Sequence, residues 1–436
     1  MSEKPRSPFI QLLRQARGFL PLFVGDIVST SGAAIFSSAI SYLVYISTHS
    51  ALAVAYVGIA SFVPTIIIGL FAGALVDRSN KRRMMIACDL ARSAAVVIIP
   101  VYMFFEGFNL AVILAVVLAI SLFSTLFRPA ARAIMPLLVQ SDLIPRANGL
   151  MTAAESLANS ASLGIGGVMI ELIGASMSLF YNTATYLISA TMIFLILVPS
   201  SATVKAQAGV QAQSEKTAAA KKTSLLSDVR EGVRFMLGKK AILEMTVTAS
   251  VINFFFTMGT NFLVVYEAKF LLTSSGLIYG ILLASFSLGS AVGALVMGRL
   301  NAFNHAGKVL IACNVGFGLG TLGMILLHNV AFAVSMLFAA GLALGLSIVL
   351  YFSIIQTVVP GHVLGRVISA DEVGSFAAIP LAQIAGGLII QFYGIIPDFE
   401  VAGIGLLLTG LASLFLKDLR TFKVTQNKDQ RPSHQG

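Results

Sequence analysis

Gly73-Ala74-Leu75-Val76-Asp77-Arg78-Ser79-Asn80-Lys81-Arg82-Arg83 joins two long apolar runs, 52–76 and 84–105. Each run exceeds the roughly 20 residues a helix needs to cross about 30 Å of hydrocarbon. The junction is short and basic and carries one acid. A chain that turns on such a junction crosses a membrane and returns, with the basic residues kept in the cytoplasm. The same reading extends outward in both directions. Apolar runs at 19–47, 52–76, 84–105, 109–134, 147–173 and 177–199 are followed by 242–266, 275–298, 309–328, 331–356, 366–392 and 400–417. Twelve spanning helices are predicted.

Composition excludes an ordinary soluble domain. Of 436 residues, 57% are hydrophobic and 11% charged, with a mean hydropathy of +0.89. Soluble domains carry about 25% charged residues. The net charge of +10 does not indicate nucleic acid, because the basic residues border apolar spans instead of forming one face. Membrane lipid with anionic headgroups is their natural partner. Cys88 and Cys313 both fall inside apolar runs, so neither a disulfide framework nor a metal site is indicated. The first run is too long for a secretory leader and lacks an Ala-x-Ala site, and it reads as a retained helix.

Twelve crossings return the chain to its starting side. With a cytoplasmic N-terminus, every Lys and Arg except Lys269 lies at or near that side, which predicts cytoplasmic termini in a cell inner or cytoplasmic membrane. The expected organisation is a six-helix bundle over 1–199, a cytoplasmic linker over 200–240, a second six-helix bundle over 241–418 and a flexible tail over 419–436. Within the linker, Leu225, Val229, Val233 and Met236 recur at helical spacing and predict an amphipathic surface helix, with a plain extension of helix seven as the alternative.

The halves share landmarks displaced by 220 residues. Gly73-Ala74-Leu75-Val76 recurs as Gly293-Ala294-Leu295-Val296, Arg146 as Arg366, Gly166-Gly167 as Gly386-Gly387, and Gly174 as Gly394. Six crossings per repeat preserve sidedness, so the repeats are parallel, an arrangement suited to two rocking bundles.

The opening loop, with Gly73, Asp77, Arg78, Arg82 and Arg83, closely resembles the gating signature of the major facilitator superfamily. The resemblance covers nearly the whole chain. It implies an all-α membrane protein, the major facilitator fold, with twelve helices in two pseudosymmetric bundles. It also implies that Asp77 meets the start of helix eleven near Arg366. In the second copy of the signature Met297 replaces the acid. Phe127-Arg128-Pro129-Ala130 and the run from Asp142 to Asn148 resemble a bacterial and archaeal branch of drug, macrolide and siderophore exporters. Ser162-Leu163-Gly164-Ile165-Gly166-Gly167 is similar to the antiporter signature, without its proline. Close helix packing is the other reading of these glycines.

Charges inside spans are costly and mark function or internal pairing. Glu155 lies in helix five with Asn159 four residues on, on the same face. It is a candidate proton or cation site, and a fixed pair with Arg128 or Arg132 is the alternative. Asp26 in helix one is a second candidate, for proton coupling, gating, cation binding or stabilising basic neighbours. Asp89 and Arg92 are three apart and suit a local pair. Asp371 and Glu372 are expected to act at the inner gate through Arg82, Arg83 or Arg146. Ser41, Tyr42, Asn253, Asn261, Tyr279, Tyr351, Gln356 and Gln383 are candidates for a weakly polar cavity.

The function expected is secondary export of hydrophobic or amphipathic small molecules by alternating access, coupled to protons as an antiport, by a functional monomer. Lysophospholipid or lipid translocation and siderophore export are the alternatives. The five histidines are scattered and no nucleophile–base set occurs, so neither an enzyme nor a metal or other cofactor is expected. The absence of Gly-x-x-x-x-Gly-Lys-Ser/Thr argues against an ATP-driven pump.

Overall fold

The computed structural model describes residues 18–77, 79–139, 144–196, 233–273, 275–298, 306–359 and 361–416. The regular elements among them are helices. Hydrocarbon leaves each backbone N–H and C=O to be satisfied within its own segment, so long apolar runs become long helices. The first half contains α1 (Phe19–Thr48), α2 (Ala51–Asp77), α3 (Lys81–Glu106), α4 (Leu110–Leu138), α5 (Ile144–Ile173) and α6 (Ala175–Phe194). The second contains α7 (Lys240–Thr260), α8 (Leu263–Lys269), α9 (Gly276–Gly298), α10 (Ala306–Gly323), α11 (Val330–Val358), α12 (Gly361–Phe376), α13 (Ile379–Tyr393) and α14 (Ile395–Ala412).

Two expected spans are broken. The one at 242–266 turns at 261–262 between α7 and α8, and the one at 366–392 turns at 377–378 between α12 and α13. Pro380 stands in the first turn of α13, where its missing N–H ends the preceding ladder without harming the next. Nine helices among the described residues are long and apolar enough to cross a membrane by length and composition alone. Leu157–Ile173 of α5 and Gly307–Gly323 of α10 are shorter apolar helices. The remaining helix, α6, carries Ser178, Asn182, Thr185 and Ser189, all buried. Its polar side chains face protein, which is why a hydropathy criterion misses it. Conversely, large apolar side chains such as Phe104, Leu172 and Phe392 are 78%, 77% and 74% exposed, a surface suited to lipid and not to water.

The 220-residue repeat is present in the helix ends. Displaced by 220, the bounds of α4 become 330–358, those of α11. Asn109 and Asn329 both cap these helices, each accepting backbone N–H bonds on Oδ1. Gly174 and Gly394 join the last two spans of each half with φ of +83° and +94°, a conformation that calls for glycine.

The chain divides into two compact units. One comprises Met1–Leu226 with Asn261–Ala284, and the other Ser227–Thr260 with Ser285–Gly436. In the first unit α1 packs on α5 and α6, and α3 on α4 and α6. The second repeats this scheme, with α7 on α12, α13 and α14, and α10 on α11 and α14. Residues 261–284, which hold α8 and the start of α9, pack with the first unit. The amphipathic helix expected from Leu225 begins outside the described residues. Residues 233–238 are helical, and Met236 is buried with Ile242 and Met245.

Candidate functional site

The first unit holds a polar core. Gly25 and Gly32 let α1 approach α6, since a Cβ at Gly32 would lie 2.6 Å from Asn182 Oδ1 and 2.9 Å from Thr185 Cβ. This close approach brings the polar face of α6 into the interior. From α3, Arg92 Nη2 donates to Asp89 Oδ1, and Nη1 donates to Ser124 Oγ at 3.4 Å. The guanidinium lies over the rings of Phe127 at 4.3 Å and Tyr186 at 4.4 Å. Both residues of the ion pair are buried. The predicted local pair exists, and the two ring faces extend it by cation–π attraction in a place without water. The Ser189 hydroxyl lies beside Asp89 without completing a hydrogen bond.

Asp26 follows Gly25 on α1 and lies beside Glu155 of α5, carboxyl group to carboxyl group. The positive charge of Arg92 and the negative charge of Asp89 act on Asp26 within the same core. The arrangement sets two acids of different helices side by side, with a counter-charged pair behind them.

A second cluster lies at the other end of the first unit, at the N-terminus of α9. Glu171 Oε2, at the end of α5, accepts from Ser275 Oγ at 3.0 Å and from Leu277 N–H at 3.4 Å. Glu267 of α8 is fully buried, and its Oε1 accepts from Ser275 N–H at 2.9 Å and from the Thr273 hydroxyl. Two carboxyl groups thus share a helix N-terminus, where orphan N–H groups and the helix dipole favour negative charge. Just below, Gly167 of α5 touches α9 backbone to backbone: a Cβ there would lie 2.5 Å from Gly280 Cα. Replacing Glu267 by Ala leaves the Ser275 N–H and the Thr273 hydroxyl without their acceptor, at a cost of about 1–3 kcal/mol. Glu267→Gln keeps an acceptor oxygen and costs less. Thermal unfolding of both variants in detergent checks the order.

Residues 7–435 match the family described as transmembrane secretion effector, of the major facilitator superfamily. The chain belongs to this family. It is a multi-pass membrane transporter and not an enzyme. The transporter is 25% identical to the uncharacterised MFS-type transporter YfiS of Bacillus subtilis over 95% of its own length and 98% of that protein's. It is 24% identical to the multidrug efflux pump Tap of Mycolicibacterium fortuitum over 96% and 98%. Macrolide efflux protein A of Streptococcus pyogenes is 20% identical over 92% and 96%. Among solved structures, the nucleoside transporter NupG superposes with a TM-score of 0.70 at 11% identity, covering 92% of this chain and 100% of that one. A D-xylose–proton symporter gives 0.67 at 10% identity, covering 93% and 99%. The fold is that of the major facilitator transporters.

The structure distributes the sequence candidates unevenly. It joins Asp26 to Glu155, whereas Arg128 and Arg132 are exposed and, among the described residues, neither pairs with Glu155. Ser41, Tyr42 and Tyr279 come together in the first unit, where the tyrosine rings stack at 5.9 Å and Ser41, whose hydroxyl donates to the Ser37 carbonyl at 2.9 Å, lies beside Tyr279. Asn159 is exposed on α5 and Asn261 is exposed at the α7–α8 break. Asn253 Nδ2 donates to the Ser375 carbonyl at 2.9 Å, and Gln383 is buried on α13.

Among the described residues Arg82 meets carbonyl groups: its Nε donates to the Ile193 carbonyl at 3.2 Å, its Nη2 to the Phe194 carbonyl, and it lies over the Phe194 ring. It caps the C-terminus of α6, where cations are favoured by unsatisfied carbonyls. Arg83 is exposed, and its backbone N–H is capped by Asn80 Oδ1. Asp371 is buried in the second unit and bonded to Thr246 and Tyr351. Gly73 lies within α2, and the side chains of Asp77, Arg78, Gln356, Arg366 and Glu372 lie outside the described residues. Glu171 and Glu267 escaped sequence reasoning. An acid within the apolar stretch Leu263–Phe270 was the available signal for Glu267.

Proposed function

We propose that this transporter exports hydrophobic or amphipathic small molecules by alternating access in exchange for protons, and that Asp26 and Glu155 carry the exchanged proton. The supporting observation is the juxtaposition of the two carboxyl groups between α1 and α5. With one shared proton the pair carries a single negative charge, and a second proton makes it neutral. That change of charge inside hydrocarbon alters the cost of exposing the pair to either side by several kcal/mol. A cationic or amphipathic solute competes for the singly charged form, so loading with solute and loading with protons exclude each other. The export direction draws support from Tap and macrolide efflux protein A, named as efflux proteins and matching over nearly the full chain. The basic junction at 78–83 and both termini lie in the cytoplasm in this reading, in a cell inner or cytoplasmic membrane.

The test uses purified protein in vesicles with ethidium, erythromycin and a labelled lysophospholipid as probes, under an imposed pH gradient. The wild-type protein is expected to move ethidium or erythromycin against the solute's own concentration gradient, driven by protons flowing down theirs in the opposite direction. Glu155→Gln and Asp26→Asn are expected to retain downhill movement and lose uphill accumulation. Uphill transport with unchanged pH dependence in both variants removes the pair from coupling. Movement of the lysophospholipid alone assigns the transporter to lipid.

A further inference from the structure

The repeat relation carries the acid pair of the first half onto the second. Displaced by 220, Asp26 becomes Thr246 on α7 and Glu155 becomes Ser375 on α12. Neither is an acid. Yet one turn before Ser375, on the same face, stands Asp371, only 3% exposed. Thr246 Oγ1 lies 2.5 Å from its Oδ1, and Tyr351 Oη of α11 lies 2.6 Å from the same oxygen. Ser375 Oγ faces the Tyr351 hydroxyl without completing a hydrogen bond.

The Thr246 hydroxyl has a second acceptor within reach, the Ile242 carbonyl at 3.0 Å. A hydroxyl has one proton and can donate to only one acceptor at a time. When Asp371 is ionised, Thr246 donates to it. When Asp371 is neutral, its own O–H can donate to Thr246 Oγ1, and the Thr246 proton turns to Ile242. Both charge states are therefore hydrogen-bonded without moving a helix. No Lys or Arg among the described residues pairs with Asp371, and an uncompensated buried carboxylate is costly in a membrane.

We propose that Asp371, flanked by Thr246 and Tyr351, is a second proton-exchange site, the counterpart in the second half of the Asp26–Glu155 pair. The exchanged species is a proton taken up on the carboxylate from water on one side of the membrane and returned to the other. No bond other than O–H forms or breaks. The titratable group bonded to it is Tyr351 from α11, and the titratable residues that share α7 with Thr246 are Lys240 and Glu244. His362, Arg366 and Glu372 of its own helix have side chains outside the described residues. The site depends on the coupled-export reading for its use in transport, but its existence does not.

Infrared difference spectroscopy of the purified protein between acid and alkaline pH, in H2O and D2O and without solute, tests it directly. A protonated carboxyl gives a C=O stretch that vanishes on ionisation and shifts in D2O. One such band is expected to be lost in Asp371→Asn and to remain in Glu155→Gln and Asp26→Asn. Should Asp371→Asn not fold, Tyr351→Phe and Thr246→Val, which keep the acid and remove a hydroxyl, are expected to shift the frequency of that band. The proposal is overturned if no pH-dependent band responds to any change at 371, 246 or 351, or if the band follows Na+ concentration instead of pH. Loss of uphill transport in Glu155→Gln with the Asp371 band intact separates this site from the first.

Discussion

Replacing Arg92 by Ala is expected to destabilise the first unit by about 3–5 kcal/mol, the range for breaking one partner of a buried ion pair. The magnitude follows from what the guanidinium does. It neutralises Asp89, bonds to Ser124 and fills the space between the rings of Phe127 and Tyr186. Its removal leaves a fully buried carboxyl without a cation and a gap between two aromatic faces. Two buried free cysteines provide the measurement, Cys88 on α3 and Cys313 on α10. A thiol-reactive dye reads unfolding around whichever cysteine is kept, in Cys313→Ser or Cys88→Ser backgrounds. Arg92→Ala should lower the midpoint read at Cys88 more than the one read at Cys313. The double change Arg92→Met with Asp89→Leu should recover most of the loss, because two apolar side chains leave no charge uncompensated. Recovery by the double variant without recovery of pH-dependent transport would show that the pair also sets the field at Asp26. Equal midpoints for Arg92→Ala and the parent protein would refute the structural role.

The second large effect concerns the contact between α5 and α9. Gly167→Val is expected to force the helices apart, since even a Cβ would lie 2.5 Å from Gly280 Cα and 2.7 Å from the Gly276 carbonyl oxygen. Both obstacles are backbone, which cannot turn aside as a side chain can. Overpacking of this kind costs about 1–3 kcal/mol when the surroundings can shift. The shift would also draw Glu171 away from Ser275 and Leu277. Cysteines introduced by Ile170→Cys and Gly276→Cys report the spacing, because these positions face each other across the same contact. Oxidation should join them readily in the parent protein and slowly in the presence of Gly167→Val. Unchanged cross-linking would mean that the glycine contact does not hold α5 to α9. Gly167→Ala, with the same collision but fewer atoms, should fall between the two.

Several site assignments illustrate how far composition and spacing reach. Asp26 and Glu155 were both identified as charges out of place in apolar runs, because membrane cost is a property of the residue and its segment. Their pairing was not legible, since it depends on how α1 and α5 are rotated toward each other, and Gly25 and Gly32 set that through contacts with α6. Arg82 shows the opposite case. As part of a basic loop it suits an acid or a phosphate equally well, and only the position of the α6 C-terminus turned it into a helix cap. The turns at 261–262 and 377–378 fell inside continuous apolar runs, where periodicity has nothing to mark.

The order of the elements, the twofold repeat and the membrane character were determined by the amino-acid sequence alone. Each spanning segment satisfies its backbone internally, so its existence is a local matter of length and apolarity. Packing of the helices decided which buried polar groups meet: Asp26 with Glu155, Asp371 with Thr246 and Tyr351, and two glutamates at the start of α9. Hydrogen bonds between side chains demand specific rotations and separations of different helices, and those distances arise only when the segments assemble.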